Sequence, residues 1–460
     1  MNLFDPADRR PVHFMGIGGA GMSALALIAC RRGVAVSGCD NDPSGAADVA
    51  ALGAPVHQGH DPAHLGGARA VVVTAAVRRD HPELVRAREL GLPIVPRKEA
   101  LAALVAGGRT VAIAGTHGKT TTTVMTTEAM AAAGLDPTGL AGGRVSGWGG
   151  NARLPVEPRE DGLFVVEADE YDQAFLTLHP TVAVVNNVEP DHLECYGDFA
   201  ALEAAFHTFA DRAERVLVGV DDDGARRLAE RLGPKAWRFG LTGAEVRLED
   251  VRTSADGTSA TVHLPGGRRE TLRLRVPGLH NLRNATGALG AVAALDGDLP
   301  RALEALAEFR GVGRRFDRLG EWGGVEIVDD YAHHPSELVA TLAAARQAFP
   351  DRRLVAVFQP HLYSRTAEHG RAMGEALVAA DLAVVTEIYA AREAPMPGVT
   401  GRSVAEAGER AGAKVVFVAE RSDVTRRVLD ELRPGDLLLT LGAGDITRVG
   451  PEVKEALAHG

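Results

Sequence analysis

Residues 110–123, TVAIAGTHGKTTTT, combine a short apolar strand with a glycine loop and the start of a helix. In such an arrangement backbone N–H groups approach phosphate oxygens, Lys119 adds a positive charge, and the Thr120 hydroxyl can bind Mg²⁺. The usual phosphate loop has four residues between its glycines, whereas two separate Gly115 from Gly118. A glycine–lysine turn capped by threonines is the alternative interpretation, but the flanking strand and helix favour a site for a nucleotide triphosphate.

Size and composition indicate a soluble protein of several domains. Its 460 residues are too many for one hydrophobic core, and a formal net charge of -11 argues against a general nucleic-acid binder. Cys30, Cys39 and Cys195 lack the spacing of a zinc site or a disulfide framework, which indicates reduced thiols. Because the chain shows no signal-peptide core and no apolar run of about 18 residues, we expect a cytoplasmic protein without membrane insertion.

The amino-terminal part has the pattern of a doubly wound α/β unit. A strand from Val12, an alanine-rich helix over 21–32 and a strand that ends at Asp40 enclose the motif GxGxxG at 16–21. Asp40 stands roughly where a dinucleotide fold places its ribose-binding acid. An NAD-dependent oxidoreductase is therefore one hypothesis, although the same loop can hold any diphosphate at a helix start.

Two further α/β units follow. Apolar runs over 111–114, 163–169 and 181–188 predict a parallel sheet behind the phosphate loop, and short antiparallel strands after Pro234 predict an accessory β-layer. Helices are expected over 281–295, 300–309, 336–348 and 366–379. Further strands are expected over 325–330, 354–360, 382–389, 414–420 and 436–445.

We therefore expect an α/β protein of three domains. The predicted boundaries are 1–100 for a Rossmann-like domain, 101–312 for a central phosphate-loop ATPase domain with accessory β-strands, and 313–460 for a second Rossmann-like domain.

Carboxylates follow the predicted strands of the central unit directly, at the edge where open α/β sheets bind ligands. Glu167 is the preferred Mg²⁺ ligand. For Glu170, Asp191 and Glu194 the alternative, a solvated loop charge, is at least as strong. His192 could bind a second metal beside these acids, although a lone loop histidine more often has no such role.

Polar clusters also follow strands or open helices later in the chain. The amide of Asn284 can read an adenine edge, and Arg365 can clamp a carboxylate with two hydrogen bonds. Because such clusters occur on different units, they indicate one cleft between domains.

Eight segments together make the chain similar to the Mur ligases, in that family's order and over almost the whole length. They are GIGGAGMS (16–23), GTHGKTTTT (115–123), EADEYD (167–172), NNVEPDHLE (186–194), GLHNLRNA (278–285), GVGRR (311–315), DDYAHHP (329–335) and FQPHLYSR (358–365). Other branches of the family carry a carbamylated lysine after the DHL block. The stretch between His192 and Lys235 has no lysine, and this favours the alanine-adding branch.

The resemblance implies an ATP-dependent amide ligase of peptidoglycan precursor synthesis. It would join L-alanine to the lactyl carboxylate of UDP-N-acetylmuramate through an acyl phosphate, with Mg²⁺ or Mn²⁺, as a monomer or weak homodimer whose outer domains close on the central one. A sister ligase for another amino acid or peptide is the closest rival. An NAD-dependent oxidoreductase and a non-catalytic nucleotide-binding scaffold are remoter alternatives.

The resemblance also implies site residues. The implied catalytic residues are Lys119, Glu167, His192 and His333, with His333 a candidate base for the amine. The implied ATP contacts are Gly115, Thr116, His117, Gly118, Lys119, Thr120, Thr121, Asn284, Arg315 and Asp330. The implied UDP-sugar contacts are Gly16, Gly18, Gly19, Gly21, Met22, Ser23, Asp40, His60 and Thr74. The implied amino-acid contacts are Tyr331, His361 and Arg365, and the implied metal ligands are Thr120, Glu167 and His192.

Overall fold

Three β-sheets follow one another along the chain, and this confirms the predicted α/β class with three domains. The computed structural model describes residues 2–74, 77–157, 162–254, 257–391 and 393–459. Two compact units contain these sheets. The first comprises Met1–Glu249, Thr261–Leu272 and Arg283–Glu308, and the second comprises Asp250–Ala260, Arg273–Leu282 and Phe309–Gly460.

The first sheet has five parallel strands in the order β3-β2-β1-β4-β5, the arrangement of a Rossmann-like domain. Its strands are β1 (Val12–Met15), β2 (Val36–Asp40), β3 (Val56–Gln58), β4 (Ala70–Val73) and β5 (Ile94–Pro96). Its helices are α1 (Ala20–Arg31), α2 (Ala47–Ala51), α3 (Pro82–Glu89) and α4 (Arg97–Val105). The glycine loop follows β1, where the strand order changes direction.

The second sheet has ten strands. They are β6 (Arg109–Ala114), β7 (Thr138–Val145), β8 (Gly150–Arg153), β9 (Leu163–Glu167), β10 (Val182–Val185), β11 (Arg215–Gly219), β12 (Ala236–Gly240), β13 (Val246–Ser254), β14 (Gly257–Leu264) and β15 (Arg268–Leu274). The helices of this part are α5 (Lys119–Ala132), α6 (Phe199–Asp211), α7 (Asp223–Leu232), α8 (Leu279–Ala294) and α9 (Leu299–Ala307).

Strand β6 lies between β10 and β9 and runs parallel to both, in the order β15-β14-β13-β12-β11-β10-β6-β9-β7-β8. The prediction of an accessory β-layer was wrong in one respect. Strands β13, β14 and β15 continue the edge of this same sheet, because β13 pairs with β12 in parallel.

The third sheet has six strands in the order β16-β17-β21-β18-β19-β20. They are β16 (Asp317–Trp322), β17 (Val325–Asp330), β18 (Arg353–Phe358), β19 (Leu382–Thr386), β20 (Val415–Val418) and β21 (Asp436–Leu441). Its helices are α10 (Pro335–Ala348), α11 (Tyr363–Ala376), α12 (Gly401–Ala411), α13 (Arg421–Glu431) and α14 (Val449–His459). The edge strand β16, which the sequence did not predict, is antiparallel to β17.

The buried parallel strands position the polar residues that follow their ends. Val111, Ile113 and Ala114 of β6 are fully buried, as are the central residues of β9 and β10. Helices cover both faces of such parallel sheets, so functional groups collect at the strand ends. Among the residues that the structure describes, no helix combines the length and apolar character that a membrane span requires.

Candidate active site

The phosphate loop joins the end of β6 to the start of α5 and has two glycines in left-handed conformations. The φ angles are +133° at Gly115 and +79° at Gly118, a region that favours glycine. A Cβ at Gly115 would lie 3.0 Å from the Cβ of Asn186, and one at Gly118 would lie 2.6 Å from Oδ1 of Asn284. The glycines therefore permit both the loop's shape and the close approach of two amide side chains.

Residues after β10 hold this loop in place. Asn187 accepts a hydrogen bond from the His117 amide through Oδ1 (2.8 Å), and Asn186 donates from Nδ2 to Oγ1 of Thr122 (2.9 Å). The Glu189 amide donates to Oγ1 of Thr116 (2.9 Å). The sequence indicated carboxylate chemistry in this segment but did not predict these hydrogen bonds. They hold the loop in position in the absence of phosphate.

Lys119 forms a buried ion pair with Glu170. Its Nζ lies 2.7 Å and 2.9 Å from the two carboxylate oxygens, and it also donates to the Gly115 carbonyl (2.7 Å). Burial alone would lower the pKa of Lys119, but the carboxylates of Glu170 and Asp169 outweigh burial and raise it, so the ammonium stays charged. Glu170 is 1% exposed, and the alternative of a solvated loop charge is therefore wrong for it.

Glu167 lies at the end of β9, beside Ile113 of β6 in the sheet register. Its carboxylate accepts a hydrogen bond from the Gly142 amide, and its charge also contributes to the raised pKa of Lys119. Thr120 is buried in the first turn of α5. A hydroxyl and a carboxylate are oxygen donors of the kind that Mg²⁺ prefers, so these two side chains fit that ion.

His192 has a left-handed backbone, with φ +55°, and acids near both ring nitrogens. Nε2 lies 3.7 Å from Asp191 and Nδ1 lies 3.5 Å from Glu194. The hydrogen bond from His192 lowers the pKa of Glu194. Asp191 is buried, so the alternative of a solvated charge is wrong for it too. The structure thus groups the predicted second-metal ligand with two acids.

Asp40 closes the glycine loop of the first domain. Its Oδ2 accepts from the Gly18 amide and its Oδ1 from the Asp42 amide, both at 2.9 Å. Gly16 has φ +78°, and a Cβ there would lie 3.0 Å from Cγ2 of Thr74. Because both carboxylate oxygens accept backbone hydrogen bonds within the protein, the geometry does not favour recognition of a dinucleotide ribose.

Three other predicted UDP-sugar contacts are buried or have partners within the protein. Met22 and Ser23 are buried in α1, and the Ser23 hydroxyl accepts from Nδ2 of Asn151 (2.9 Å) because this helix packs on β7 and β8. His60 instead contacts Cys39 and Glu83. Their roles as UDP-sugar contacts stay predictions.

Sequence reasoning missed Arg97, which lies near the first glycine loop and the acidic segment after β9. Its Nη1 would lie 2.9 Å from a Cβ at Gly21, and its Nη2 lies 3.5 Å from Asp169 in the acidic segment after β9. Its position directly after strand β5 was the available signal. A positive charge here can face phosphate groups at the first glycine loop.

A second group of predicted residues meets in the third domain. Two guanidinium groups lie over the Tyr331 ring, that of Arg314 at 4.8 Å and that of Arg315 at 4.7 Å. His333 packs edge-on against Tyr331, with ring centroids 5.1 Å apart.

His361 continues this group towards Arg365. Its ring lies 5.9 Å from that of His333, and its Nδ1 lies 3.4 Å from Nη1 of Arg365, which is buried. Tyr389, which the sequence did not single out, stacks on His361 at 5.8 Å. The structure thus brings the predicted amino-acid contacts together.

The proton position on His333 follows from its neighbours. Nδ1 lies 2.9 Å from the Tyr331 carbonyl and 3.4 Å from Oε2 of Glu337. A carbonyl oxygen only accepts, so Nδ1 carries a proton, and in the neutral ring Nε2 then holds the lone pair. In this tautomer Nε2 is the atom that can take a proton.

Asp330 supports the backbone around this group. It accepts hydrogen bonds from the amides of Phe316 (2.7 Å) and Ala332 (2.8 Å). Burial raises the pKa of Asp330 to about 6, although the guanidinium of Arg315 acts in the opposite direction. The direct ATP contact predicted for Asp330 stays a prediction.

Comparison with known proteins identifies the family. Family models match residues 11–109 (Mur ligase family, catalytic domain), 113–292 (Mur ligase middle domain) and 314–444 (Mur ligase, glutamate ligase domain). The UDP-N-acetylmuramate–L-alanine ligase of Kineococcus radiotolerans is 47% identical over an alignment that covers 97% of this chain and 96% of that protein. The ligase of the same name from Streptomyces avermitilis is 44% identical and covers 97% of each chain.

Solved structures agree with this result. The UDP-N-acetylmuramate-alanine ligase MurC of Thermotoga maritima is 31% identical, with a TM-score of 0.85 and coverage of 98% of this chain and 99% of that one. A murein peptide ligase of Psychrobacter arcticus is 25% identical, with a TM-score of 0.72 and coverage of 97% and 98%. These matches confirm the resemblance seen in the motifs, and the chain belongs to the Mur ligase family.

Proposed function

We propose that this protein joins L-alanine to the lactyl carboxylate of UDP-N-acetylmuramate and converts ATP to ADP and phosphate. The observation that carries the proposal is the phosphate loop, which is held by hydrogen bonds from the segment after β10 and has Lys119 among strand-end carboxylates. The names of the relatives, which match over almost their whole length, support the choice of substrates. A cytoplasmic location, where ATP is made and cysteine thiols stay reduced, belongs to the same proposal.

The first step activates the carboxylate. A carboxylate oxygen attacks the γ-phosphorus of ATP, the bond from that phosphorus to the bridging oxygen breaks, and ADP leaves. Loop amides and the Lys119 ammonium stabilise the charge that spreads over the transferring phosphoryl group. The product is an acyl phosphate, and it must be kept from water.

Mg²⁺ belongs to the proposal through the donors that fit it. Thr120 and Glu167 would hold the ion, and it would supply neutralisation of charge on the phosphate oxygens. His192 offers a nitrogen, a donor better suited to a transition metal than to Mg²⁺. Its role as a second-metal ligand stays a prediction.

The second step forms the amide. The amine of L-alanine attacks the acyl carbon, the bond from that carbon to the phosphate oxygen breaks, and phosphate leaves with the oxygen that came from the carboxylate. Nε2 of His333 would take the amine's proton, because Nδ1 of the same ring lies at the Tyr331 carbonyl. Arg365 would hold the carboxylate of alanine, beside His361 and Tyr331. Closure of the outer domains, the oligomeric state and use of Mn²⁺ stay predictions.

A sister ligase is the second candidate, because a murein peptide ligase shares the fold at 25% identity. The oxidoreductase is the weaker alternative, because the Asp40 carboxylate already accepts hydrogen bonds from the amides of Gly18 and Asp42.

Phosphate release tests the proposal. Purified enzyme with ATP and UDP-N-acetylmuramate is given L-alanine, L-serine, glycine or the tripeptide L-alanyl-γ-D-glutamyl-meso-diaminopimelate in turn. We expect release that needs the UDP-sugar and shows its highest kcat/KM with L-alanine. Release with the tripeptide alone would assign the sister activity. In a parallel assay that contains NADH, a change in nicotinamide absorbance without phosphate release would revive the oxidoreductase.

A further inference from the structure

Four side chains from distant parts of the sequence meet in the first domain. His13 lies on β1, Cys39 on β2, His60 after β3, and Glu83 on α3. The Cys39 Sγ lies 3.3 Å from Nε2 of His13 and 3.2 Å from Nδ1 of His60. It also lies 3.3 Å and 3.4 Å from the two Glu83 oxygens, and His60 Nδ1 lies 3.1 Å from Oε2 of Glu83.

We propose that His13, Cys39, His60 and Glu83 bind one structural Zn²⁺ ion. Zinc takes nitrogen, sulfur and oxygen ligands at about 2.0–2.3 Å in a tetrahedron, so the ligand atoms lie roughly 3.3–3.6 Å apart. The distances from the Cys39 sulfur to the other three side chains, and the distance from His60 to Glu83, are 3.1–3.4 Å and are close to those edges. His13, Cys39 and Glu83 each also offer a ligand atom within 4.8 Å of the other two. A mixed imidazole, thiolate and carboxylate set suits zinc and excludes Mg²⁺, which prefers oxygen.

Charge supports a cation at this position. The Glu83 side chain is fully buried, and the positively chargeable groups near it are histidines: His60 at 3.1 Å, His64 at 3.4 Å and His81 at 4.0 Å. No lysine or arginine of the described part of the chain lies within 4.0 Å of this carboxylate. A buried carboxylate without a fixed counter-charge is costly, and a divalent ion would supply that charge.

Outer hydrogen bonds hold two of these ligands in place. Nδ1 of His13 lies 3.0 Å from Oγ of Ser37, and the Asp61 amide donates to Oε1 of Glu83 at 3.2 Å. Metal-binding histidines commonly use their second nitrogen in this way, and outer bonds orient carboxylates similarly. Because His13, Cys39 and Glu83 are also fully buried, the site has the closed character of a structural zinc centre.

The ion would stabilise the support of the glycine loop. Cys39 precedes Asp40, and the Cys39 carbonyl accepts from the Gly16 amide at 2.8 Å. The metal would link β1, β2, the segment after β3 and α3, and would therefore fix the end of β2 beneath that loop. A group of ligands so far apart in sequence has no CxxC-type spacing, so the sequence pattern does not indicate a zinc site.

Metal content tests this site independently of enzyme activity. The untagged full chain is produced in zinc-supplemented medium and dialysed before metal analysis. We expect wild type to retain one zinc per chain, and both Cys39→Ala and Glu83→Gln to lose it. Cys30→Ala is the matched control, because Cys30 is a half-buried thiol of the same domain outside the cluster, and it should keep the ion.

Cobalt in place of zinc separates this site from any metal at the phosphate loop. A Cys39 thiolate on Co²⁺ gives a sulfur-to-metal charge-transfer band, whereas oxygen ligands at Thr120 and Glu167 cannot. We expect the band in wild type and Cys30→Ala and its loss in Cys39→Ala. Wild type with neither bound zinc nor this band would overturn the proposal and assign the cluster to histidine–glutamate hydrogen bonds. If Cys39→Ala does not fold, the wild-type spectrum still decides, and His60→Ala at the half-buried rim is the second variant.

Discussion

Lys119→Met is expected to lower kcat for phosphate release at least about a hundredfold, the usual cost of removing one group that stabilises transition-state charge. The residue begins α5, and its ammonium lies at the loop carbonyls with its pKa raised by nearby carboxylates. Steady-state phosphate release with saturating substrates gives the value. Lys98→Met is the matched control, since Lys98 also pairs with an acid of the segment after β9, Asp172, at 3.0 Å. It should retain wild-type kcat.

A second variant separates the catalytic role of Lys119 from its structural one. Lys119→Met alone leaves Glu170 buried without its partner, which costs about 3–5 kcal/mol of stability at neutral pH. Adding Glu170→Gln removes that buried charge, so the double variant should regain much of the lost Tm and none of the lost kcat. Recovery of turnover in the double variant would show that Lys119 serves only to neutralise Glu170.

Arg365→Ala is expected to raise KM for L-alanine about 30-fold or more, with KM for ATP changed less than about twofold. Truncating one member of a desolvated charge pair costs roughly 2–5 kcal/mol, and only alanine brings a free carboxylate to this position. Initial rates with each substrate varied in turn give the two constants. Arg365→Lys should recover part of the affinity, because it keeps the charge and loses the two-pronged geometry.

Arg371→Ala is the control on the same helix. Arg371 is exposed and pairs with Glu375 at 2.8 Å, so its loss should leave both constants unchanged. An equal rise of both constants in Arg365→Ala would remove Arg365 as the carboxylate clamp and point to a general disturbance of α11.

Sequence patterns predicted the fold where local signals were strong. The strand predicted over 325–330 matches β17 residue for residue, and the helix predicted over 336–348 begins one residue earlier, at Pro335. Apolar strands followed by acids placed Glu167 correctly at a strand end. These features depend on residues close together in the chain, which is why they could be predicted.

Contacts between distant residues could not be predicted in this way. Glu170 is buried as the ion-pair partner of Lys119, which lies 51 residues earlier in the chain. Nothing within the acidic segment itself distinguishes this glutamate from a solvated one. The hydrogen bonds from Asn186 and Asn187 to the phosphate loop and α5 likewise depend on the parallel pairing of β10 with β6. Strands β13 to β15 continue the main sheet for the same reason, since edge pairing is decided by tertiary contacts and not by strand propensity.

Oxygen transfer from substrate to phosphate tests the central claim, that this loop activates a carboxylate, most directly. UDP-N-acetylmuramate labelled with ¹⁸O in its lactyl carboxylate is turned over with ATP and L-alanine, and the released phosphate is analysed by mass spectrometry. An acyl phosphate route predicts one labelled oxygen in each phosphate, because the carboxylate oxygen leaves with phosphorus when the amide forms. Amide product accompanied by unlabelled phosphate would contradict activation of the carboxylate by phosphoryl transfer.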